Sequence, residues 1–483
     1  MADNQNKYKS LFSNTIIFAI GSFSSKILVL FLVPIYTNFM SQSELGINDV
    51  IVQMANWLIP IVSLTIAEAV LRFALDKAYD KQKIFTIANV IIFSGIILLS
   101  ITLSLAIKIP LIREFVKGYA PLLFLYVAVA CLKLAYSTFV RALGKVKLYA
   151  VNGIIATLLM LIFNIIFIAV LKIGVAGYLL SVILSDFISI LFLLFSAKLW
   201  KYFKLKSFDK KVLKAMLIYS LPLIPTQLLW LVTNSSSTFM VTKMISEEAN
   251  GILTAAYKIP NLVSTIYLMF GQAWNMSAIQ ENDSADRSRF YTRVFDLNQS
   301  LMYTIAAGIL LIVKPVTAVW IGPSFRSSIN YAPILILTTV LTCFSTFMGT
   351  AYIATKNTVK SLVTSLVSGV ISISLNLILI PIIGIYAAAF SALISYVVVF
   401  AIRLYDAKKL IGFKVAYTKM FINFGILVVM VLANSLRGAV SYTILGISFT
   451  AIFLLNFRCT LQMVAMFIPK KFLKKIPIIK KLI

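Results

Sequence analysis

The chain has 483 residues, of which 60% are hydrophobic and 12% are charged, and its formal net charge is +28. Soluble domains carry about 25% charged residues, so this composition excludes an ordinary soluble domain and indicates a polytopic membrane protein. The sequence has no histidine, which excludes histidine-based acid–base catalysis and histidine metal ligands. Its three cysteines, Cys131, Cys343 and Cys459, lack metal-binding spacing, so we expect neither a metal site nor a disulfide framework.

Apolar windows of about 20 residues, the length that crosses a bilayer as a helix, recur along almost the whole chain. They predict fourteen spans at 14–37, 47–71, 84–107, 119–140, 149–171, 174–197, 213–236, 251–276, 290–313, 329–353, 359–381, 384–404, 416–436 and 440–458. The first window has no small-residue cleavage site behind it, so we expect a span rather than a signal peptide. The predicted fold class is an all-α polytopic membrane protein.

The basic residues are divided unequally between the two sides that these spans define. Of the 44 Lys and Arg residues, 33 fall on the side of the termini, 8 on the opposite side and 3 within spans. The positive-inside rule therefore predicts that both termini are cytoplasmic. The positive charge then reflects topology and attraction to anionic lipid headgroups rather than binding to nucleic acid.

The two halves of the chain resemble each other. Segment 164–185 is repeated at 376–395, with one Asn, one Gly and two Ser in the same order, and Cys131 and Cys343 are separated by the same 212 residues as the two Asn. Six spans per half predict parallel repeats, related by a pseudo-two-fold axis along the membrane normal, and a central cleft. The predicted domains are an N-lobe at 1–197, a cytoplasmic linker at 198–214, a C-lobe at 215–405, two further helices at 406–460 and a basic cytoplasmic tail at 461–483.

Polar and cationic side chains inside the spans are the candidate substrate site. A charge at bilayer depth costs roughly 2.5–3.5 kcal/mol, so it usually faces a protein interior or a wet cavity. Lys26 lies roughly 18 Å into its span, which favours a cavity over a lysine that snorkels to the surface; snorkelling stays open for Lys133 and Lys258. We predict a cationic cleft of Lys26, Arg72, Lys133 and Lys258, lined by Ser22, Ser25, Gln227, Asn234 and Asn376.

Three acids are candidates for coupling transport to H⁺ or Na⁺, and no other cofactor is expected. A desolvated carboxyl group can titrate near neutral pH. Glu68 is favoured because Arg72, four residues later, can pair with it, although a structural ion pair is equally compatible with this spacing. Asp186 stands on a ridge of serines that is typical of close helix packing, and Asp296 lies two turns into its span, where an interfacial position is the alternative.

Prolines interrupt the first two predicted spans of each half, at positions 34, 60, 222, 225 and 260. Such breaks free backbone groups and permit bending where a neighbour or a cavity satisfies those groups. Polar stripes and helix breaks on corresponding helices of two repeats are typical of a transporter. The short external loops, without a Gly-rich nucleotide loop or a nucleophile with a base partner, argue against an enzyme.

Several segments carry a family resemblance. Residues 26–37, 43–49 and 69–73, then 220–222 with 255–259, and finally 376–389 occur in an order and spacing that resembles Wzx-type oligosaccharide flippases, which are polysaccharide biosynthesis proteins of the MOP superfamily. One departure concerns the end of the seventh span. The family often has an Asp-Arg-Tyr-like run there, whereas this chain has Ser236-Ser237-Thr238-Phe239.

The resemblance implies a V-shaped fold of two six-helix lobes with two extra helices, in a bacterial inner membrane. It also implies that an undecaprenyl-pyrophosphate oligosaccharide moves from the cytoplasmic to the outer leaflet for capsule, O-antigen or exopolysaccharide synthesis. A polysaccharide polymerase and chain-length machinery are then candidate partners.

Three other functions stay open: a lipid II flippase, a MATE-type cation-coupled multidrug antiporter and a membrane-embedded sugar polymerase. MATE proteins usually have twelve spans and an acidic cleft, whereas this sequence predicts fourteen spans and a cationic cleft. The short loops disfavour the polymerase.

Overall fold

The computed structural model describes residues 31–76, 78–280, 285–355 and 357–467, and all regular elements in these ranges are helical. The α-helices are α1 (Leu32–Phe39), α2 (Gln42–Val62), α3 (Ile66–Leu75), α4 (Lys81–Ala106), α5 (Pro110–Val116), α6 (Ala120–Ala142), α7 (Val146–Asn164), α8 (Gly174–Ala197), α9 (Lys210–Ser220), α10 (Leu223–Met244), α11 (Glu247–Lys258), α12 (Pro260–Gln280), α13 (Arg287–Trp320), α14 (Ala332–Ala354), α15 (Thr358–Ile383), α16 (Tyr386–Ile411), α17 (Tyr417–Ser435) and α18 (Ala439–Phe467). A π-helix at Ile165–Val170 continues α7, and short 3₁₀ helices form at Leu199–Lys201, Leu205–Ser207 and Pro323–Asn330.

Within the described residues, 12 helical segments are long and apolar enough to cross a membrane. This confirms the predicted all-α polytopic fold class, whereas the predicted number of fourteen spans is not confirmed. Predicted span 14–37 lies mostly outside the described residues. Predicted span 251–276 is divided between α11 and α12, neither of which is among the 12. α11 has only 12 residues, and the amides of Asn261 and Asn275 make α12 less apolar.

Three of the predicted proline breaks are present in the helices. Pro60 stands near the end of α2, and the chain then turns through Leu64 and Thr65, both in the left-handed region with φ of 48°. α9 ends before Pro222 and α11 ends before Pro260. The breaks at Pro60 and Pro222 are joined by a hydrogen bond, because the Thr65 hydroxyl donates to the Ser220 carbonyl oxygen at 2.7 Å. Backbone groups freed inside an apolar protein need such a partner.

The chain forms two compact units. Unit 1 comprises Met1–Thr242 and Ser246–Gly251, and unit 2 comprises Lys243–Ile245 and Ile252–Ile483. Contacts therefore group the predicted seventh span, α9 with most of α10, with unit 1, where α9 packs against α3 and α4. The predicted lobes rest on the internal repeat instead, and their boundaries stay a prediction.

The segment that follows α8 is held against α4. The backbone N–H of Lys204 donates to the Thr86 hydroxyl at 3.0 Å, and Lys83 forms an ion pair of 2.8 Å with Asp209, the N-cap of α9. The hydrogen bond from Lys83, together with those from the first backbone N–H groups of α9, lowers the pKa of the Asp209 carboxyl. These contacts order the predicted linker at the start of the seventh span.

Each unit is built around one central helix. In unit 1, α6 packs against α2, α3, α4 and α8; in unit 2, α14 packs against α12, α13 and α16. The two central helices carry the repeat-related Cys131 and Cys343, which are both buried. The internal repeat seen in the sequence therefore corresponds to equivalent central positions in the two units.

The two helices outside the repeat, α17 and α18, pack on α13 within unit 2. Polar contacts hold them at both ends of α13. Lys419 forms an ion pair of 2.8 Å with Asp296, and Lys314 donates to the Leu436 carbonyl oxygen at 2.7 Å and to the Ser441 hydroxyl at 2.8 Å.

Candidate functional site

The predicted site residues are distributed over both units. Lys26, Ser22 and Ser25 lie outside the described residues, and the side chain of Asn234 is not described. The others lie in unit 1 (Arg72, Lys133, Gln227, Glu68 and Asp186) and in unit 2 (Lys258, Asn376 and Asp296).

Arg72 takes a partner other than the predicted one. Its Nη1 lies 3.8 Å from Asp76 Oδ2, and the two side chains are 61% and 36% exposed. Glu68 is exposed on α3, and no ion pair among the described residues includes it. Glu68 and Asp76 are each four residues from Arg72. Because α3 ends at Leu75, Arg72 lies in its last turn, next to the C-cap residue Asp76. An exposed pair of this kind contributes about 0–1 kcal/mol.

Lys133 and Asp186 form an ion pair inside unit 1 that joins α6 to α8. Lys133 stands about 20 Å from the start of α6, and the two side chains are only 30% and 15% exposed. Because the ammonium group is bound by a carboxylate, Lys133 does not need to snorkel to the membrane surface. The structure thus brings together a predicted substrate-binding cation and a predicted coupling acid.

Three tyrosines and one further acid lie near this pair in unit 1, and Tyr178 is within electrostatic range of that acid, Asp49. Tyr126 lies within electrostatic range of Asp186 and of Tyr178, and the Tyr36 and Tyr178 rings are 5.1 Å apart. Asp49 Oδ2 accepts a hydrogen bond of 3.0 Å from Thr238. Sequence reasoning did not select these residues as site residues, although one signal was available: Asp49 is a carboxylate inside the predicted span 47–71.

The remaining predicted residues lie in surroundings of different kinds. Asp296 accepts from Gln299 at 2.8 Å and from the Cys459 thiol at 3.3 Å besides its pair with Lys419, so it anchors α17 and α18. Asn376 is fully buried on α15. Gln227 and Lys258 are half-buried near the first turn of α10 and at the end of α11.

Arg403 is counted with the basic residues on the side of the termini because it stands at the end of the predicted span 384–404, but it lies well inside a helix. The predicted span ended at residue 404, whereas α16 continues to Ile411. Arg403 is therefore two turns from the helix end and half-buried in unit 2. Each unit thus contains one of these interior cations, Lys133 in unit 1 and Arg403 in unit 2.

The first turns of α2 and α11 meet within unit 1 at two glycines. A Cβ at Gly46 would overlap the Glu247 carbonyl oxygen, and a Cβ at Gly251 would overlap the Gln42 carbonyl oxygen. Asn250 donates to the Gly46 carbonyl oxygen at 3.0 Å, and Ser43 donates to Glu247 Oε2 at 3.0 Å. The contacts are reciprocal, because each of the segments 42–46 and 247–251 supplies a glycine that lies against a backbone carbonyl oxygen of the other.

Several solved membrane transporters have a similar fold. The lipid II flippase MurJ in an inward closed conformation aligns over 94% of this chain and 98% of its own, with 15% identity and a TM-score of 0.66. A multidrug resistance MATE family transporter of the MOP superfamily, in an inward-facing conformation, aligns over 81% and 98%, with 17% identity and a TM-score of 0.61. A MOP superfamily transporter from Pyrococcus furiosus aligns over 83% and 96%, with 16% identity and a TM-score of 0.54. No curated protein matches the sequence at a significant level.

These likenesses define the protein's class: a multi-span membrane protein with the fold of MOP-superfamily transporters. Its neighbours are flippases and transporters rather than enzymes, in agreement with the predicted non-enzymatic class. The family model described as polysaccharide biosynthesis protein matches residues 11–275, more than half of the chain. The chain belongs to this family, as its resemblance to Wzx-type flippases implied.

Proposed function

We propose that this protein is a flippase that moves an undecaprenyl-pyrophosphate oligosaccharide from the cytoplasmic to the outer leaflet for surface polysaccharide synthesis. The observation that carries the proposal is the match to the polysaccharide biosynthesis family over residues 11–275. The structural neighbour MurJ, a lipid II flippase, supports a lipid-linked substrate. A lipid II flippase is accordingly the second candidate.

The charges inside the units favour an anionic substrate over the cationic drugs of a MATE antiporter. Three of the acids inside the units are each bound by a lysine, Asp186 by Lys133, Asp296 by Lys419 and Asp406 by Lys360, whereas Asp49 accepts a hydrogen bond from Thr238. A carboxylate that is already paired offers little attraction to a cationic drug. Arg403, by contrast, has no carboxylate partner among the described residues, and Lys26 adds a cation in the predicted first span.

Lys26 provides a direct test of the proposed substrate. We expect Lys26→Ala to lower substrate affinity by about 10- to 100-fold, because one net hydrogen bond to a charged group is lost. Lys26→Arg retains the charge with a different geometry and should keep part of the activity. The measurement is flipping of a fluorescent undecaprenyl-pyrophosphate oligosaccharide by the full chain in proteoliposomes, with empty liposomes and equal protein amounts as controls. Wild-type protein that does not flip this lipid contradicts the proposal.

The predicted topology is tested separately by cysteine labelling. In a Cys459→Ser background, Met244→Cys should react with an impermeant thiol reagent applied from outside intact cells, whereas Lys206→Cys should react only after permeabilisation. Both positions are exposed, and Cys131 and Cys343 are buried, so accessibility from the outside reports membrane side. The reverse labelling pattern would exclude cytoplasmic termini.

A further inference from the structure

The internal repeat places a neutral pair in unit 2 where unit 1 has its ion pair. Cys131-Leu132-Lys133 of α6 corresponds to Cys343-Phe344-Ser345 of α14, and Ser185-Asp186 of α8 corresponds to Ser395-Tyr396 of α16. Unit 2 therefore lacks both the lysine and the aspartate at these positions.

Arg403 supplies a cation at the same place in unit 2. Its Nη1 donates to the carbonyl oxygen of Ser345, the counterpart of Lys133, at 3.1 Å. Its Nε donates to the Thr364 hydroxyl at 3.0 Å, and its Nη2 donates to the Ser365 hydroxyl at 3.2 Å. Every one of these acceptors is a neutral oxygen, so none of them carries a negative charge that would balance the guanidinium.

The acid nearest to Arg403 along the helix is already bound. Asp406 accepts from Lys360 at 3.1 Å through Oδ1 and from the Tyr352 hydroxyl at 2.9 Å through Oδ2. Lys360 and Arg403 together carry two positive charges and Asp406 carries one negative charge, so this part of unit 2 has one positive charge in excess. In unit 1 the corresponding charge is cancelled by Asp186, so the two units differ in this respect.

Donors remain free around the guanidinium. An arginine side chain has five N–H groups. Three of these groups in Arg403 donate the hydrogen bonds described above. The Tyr267 hydroxyl lies within electrostatic range of Arg403 and has no hydrogen-bond partner among the described residues, although the side chain is only 5% exposed. A Cβ at Gly349 would lie 3.0 Å from Arg403 Nη1, so the guanidinium packs closely against this glycine and a larger residue there would displace it.

We propose that Arg403 and Tyr267 form an anion-binding site inside unit 2 that takes a phosphate oxyanion. The planar fork of arginine suits the oxygens of a phosphate, and a partly buried cation without a carboxylate partner gains most from an anionic ligand. This assignment rests on the proposed function, in which the protein binds the diphosphate group of the polyprenyl carrier. Free inorganic diphosphate offers the same phosphate oxygens.

The test measures binding to the full chain in lipid nanodiscs, with undecaprenyl diphosphate and inorganic diphosphate as separate probes. We expect Arg403→Gln to weaken binding by about 10- to 100-fold and Tyr267→Phe by about 5-fold, in line with the loss of a charged and a neutral hydrogen bond. Arg403→Lys should lie between wild type and Arg403→Gln, because the charge stays while the fork is lost. Arg437→Gln, which removes an exposed arginine of the same unit, is the charge-matched control and should bind as wild type.

Wild-type affinity in both Arg403→Gln and Tyr267→Phe would overturn the site and leave Arg403 as a structural connection between α14, α15 and α16. If Arg403→Gln unfolds, Tyr267→Phe and Arg403→Lys decide, since Tyr267→Phe leaves the hydrogen bonds of Arg403 in place and Arg403→Lys keeps the positive charge. Arg403-dependent binding of inorganic diphosphate, without binding of undecaprenyl diphosphate, would keep the site and reject the proposed substrate. Wild-type binding and flipping of the oligosaccharide lipid by Arg403→Gln would reject the site and keep the function.

Discussion

Removing either member of the Lys133–Asp186 pair is expected to destabilise the protein by about 3 kcal/mol, at the lower end of the range for breaking a buried ion pair. Lys133→Met leaves an unpaired carboxylate between α6 and α8, and Asp186→Asn leaves an unpaired ammonium group there. The lower end applies because the Lys133 side chain is 30% exposed. Thermal unfolding of the full chain in nanodiscs, followed by intrinsic fluorescence, measures the loss.

The exposed pair of the same unit is the matched control. Arg72 Nη1 lies 3.8 Å from Asp76 Oδ2, and the Arg72 side chain is 61% exposed, so Arg72→Gln should change stability by no more than about 1 kcal/mol. The double variant Lys133→Leu/Asp186→Leu should recover most of the lost stability, because apolar replacement of both members of a buried pair is often neutral or favourable. Equal effects at the buried and exposed pairs would contradict the assignment of Lys133 and Asp186 to the interior.

The recovered double variant also separates two roles of Asp186. If Lys133 and Asp186 serve only as a structural pair, the stable double variant should flip substrate as wild type does, whereas loss of flipping under all conditions would point to Lys133 as a substrate-binding cation. If the acid also binds a proton or sodium ion, the double variant should be stable and yet lose its dependence on the ion gradient. Only the combined readout of stability and transport distinguishes these outcomes.

Much of the helix arrangement is written into local sequence patterns, and the ion pairs are not. Apolar windows predict spans because each helix must meet the bilayer by itself, and Pro60, Pro222 and Pro260 predict breaks because proline lacks the donor that a helix needs. The Lys133–Asp186 and Asp296–Lys419 pairs join residues 53 and 123 positions apart. Residues so distant have no shared periodicity, so only the packing of helices brings them together.

Two errors of residue placement have physical explanations. A hydropathy window ends where charges begin, so the predicted twelfth span stopped at residue 404. The helix continues to Ile411 because Arg403 and Asp406 find partners within unit 2 and do not need water. Arg72 has an acid four residues away on either side, Glu68 and Asp76, and spacing alone cannot choose between them. The short α3 decides the choice by ending beside Asp76.

Replacing Gly46 or Gly251 by alanine is expected to separate the first turns of α2 and α11. Each new methyl group would overlap a backbone carbonyl oxygen, of Glu247 or of Gln42, and a backbone atom cannot rotate away as a side chain can. The helices must therefore move apart, which weakens the Asn250–Gly46 and Ser43–Glu247 hydrogen bonds. We expect each substitution to cost up to about 3 kcal/mol, the upper end for overpacking, in the same unfolding measurement.

Gly425 is the matched control for these glycines. It lies within α17, where a Cβ would meet nothing within 4 Å, so Gly425→Ala should be neutral or stabilising by up to about 1 kcal/mol. The double variant Gly46→Ala/Gly251→Ala carries the sharper expectation. Because both methyl groups require the same separation of α2 and α11, and coupled neighbours are not additive, the double variant should cost little more than the larger single variant. Additive losses would show that the two glycines act independently and that the reciprocal contact is not one closely packed crossing.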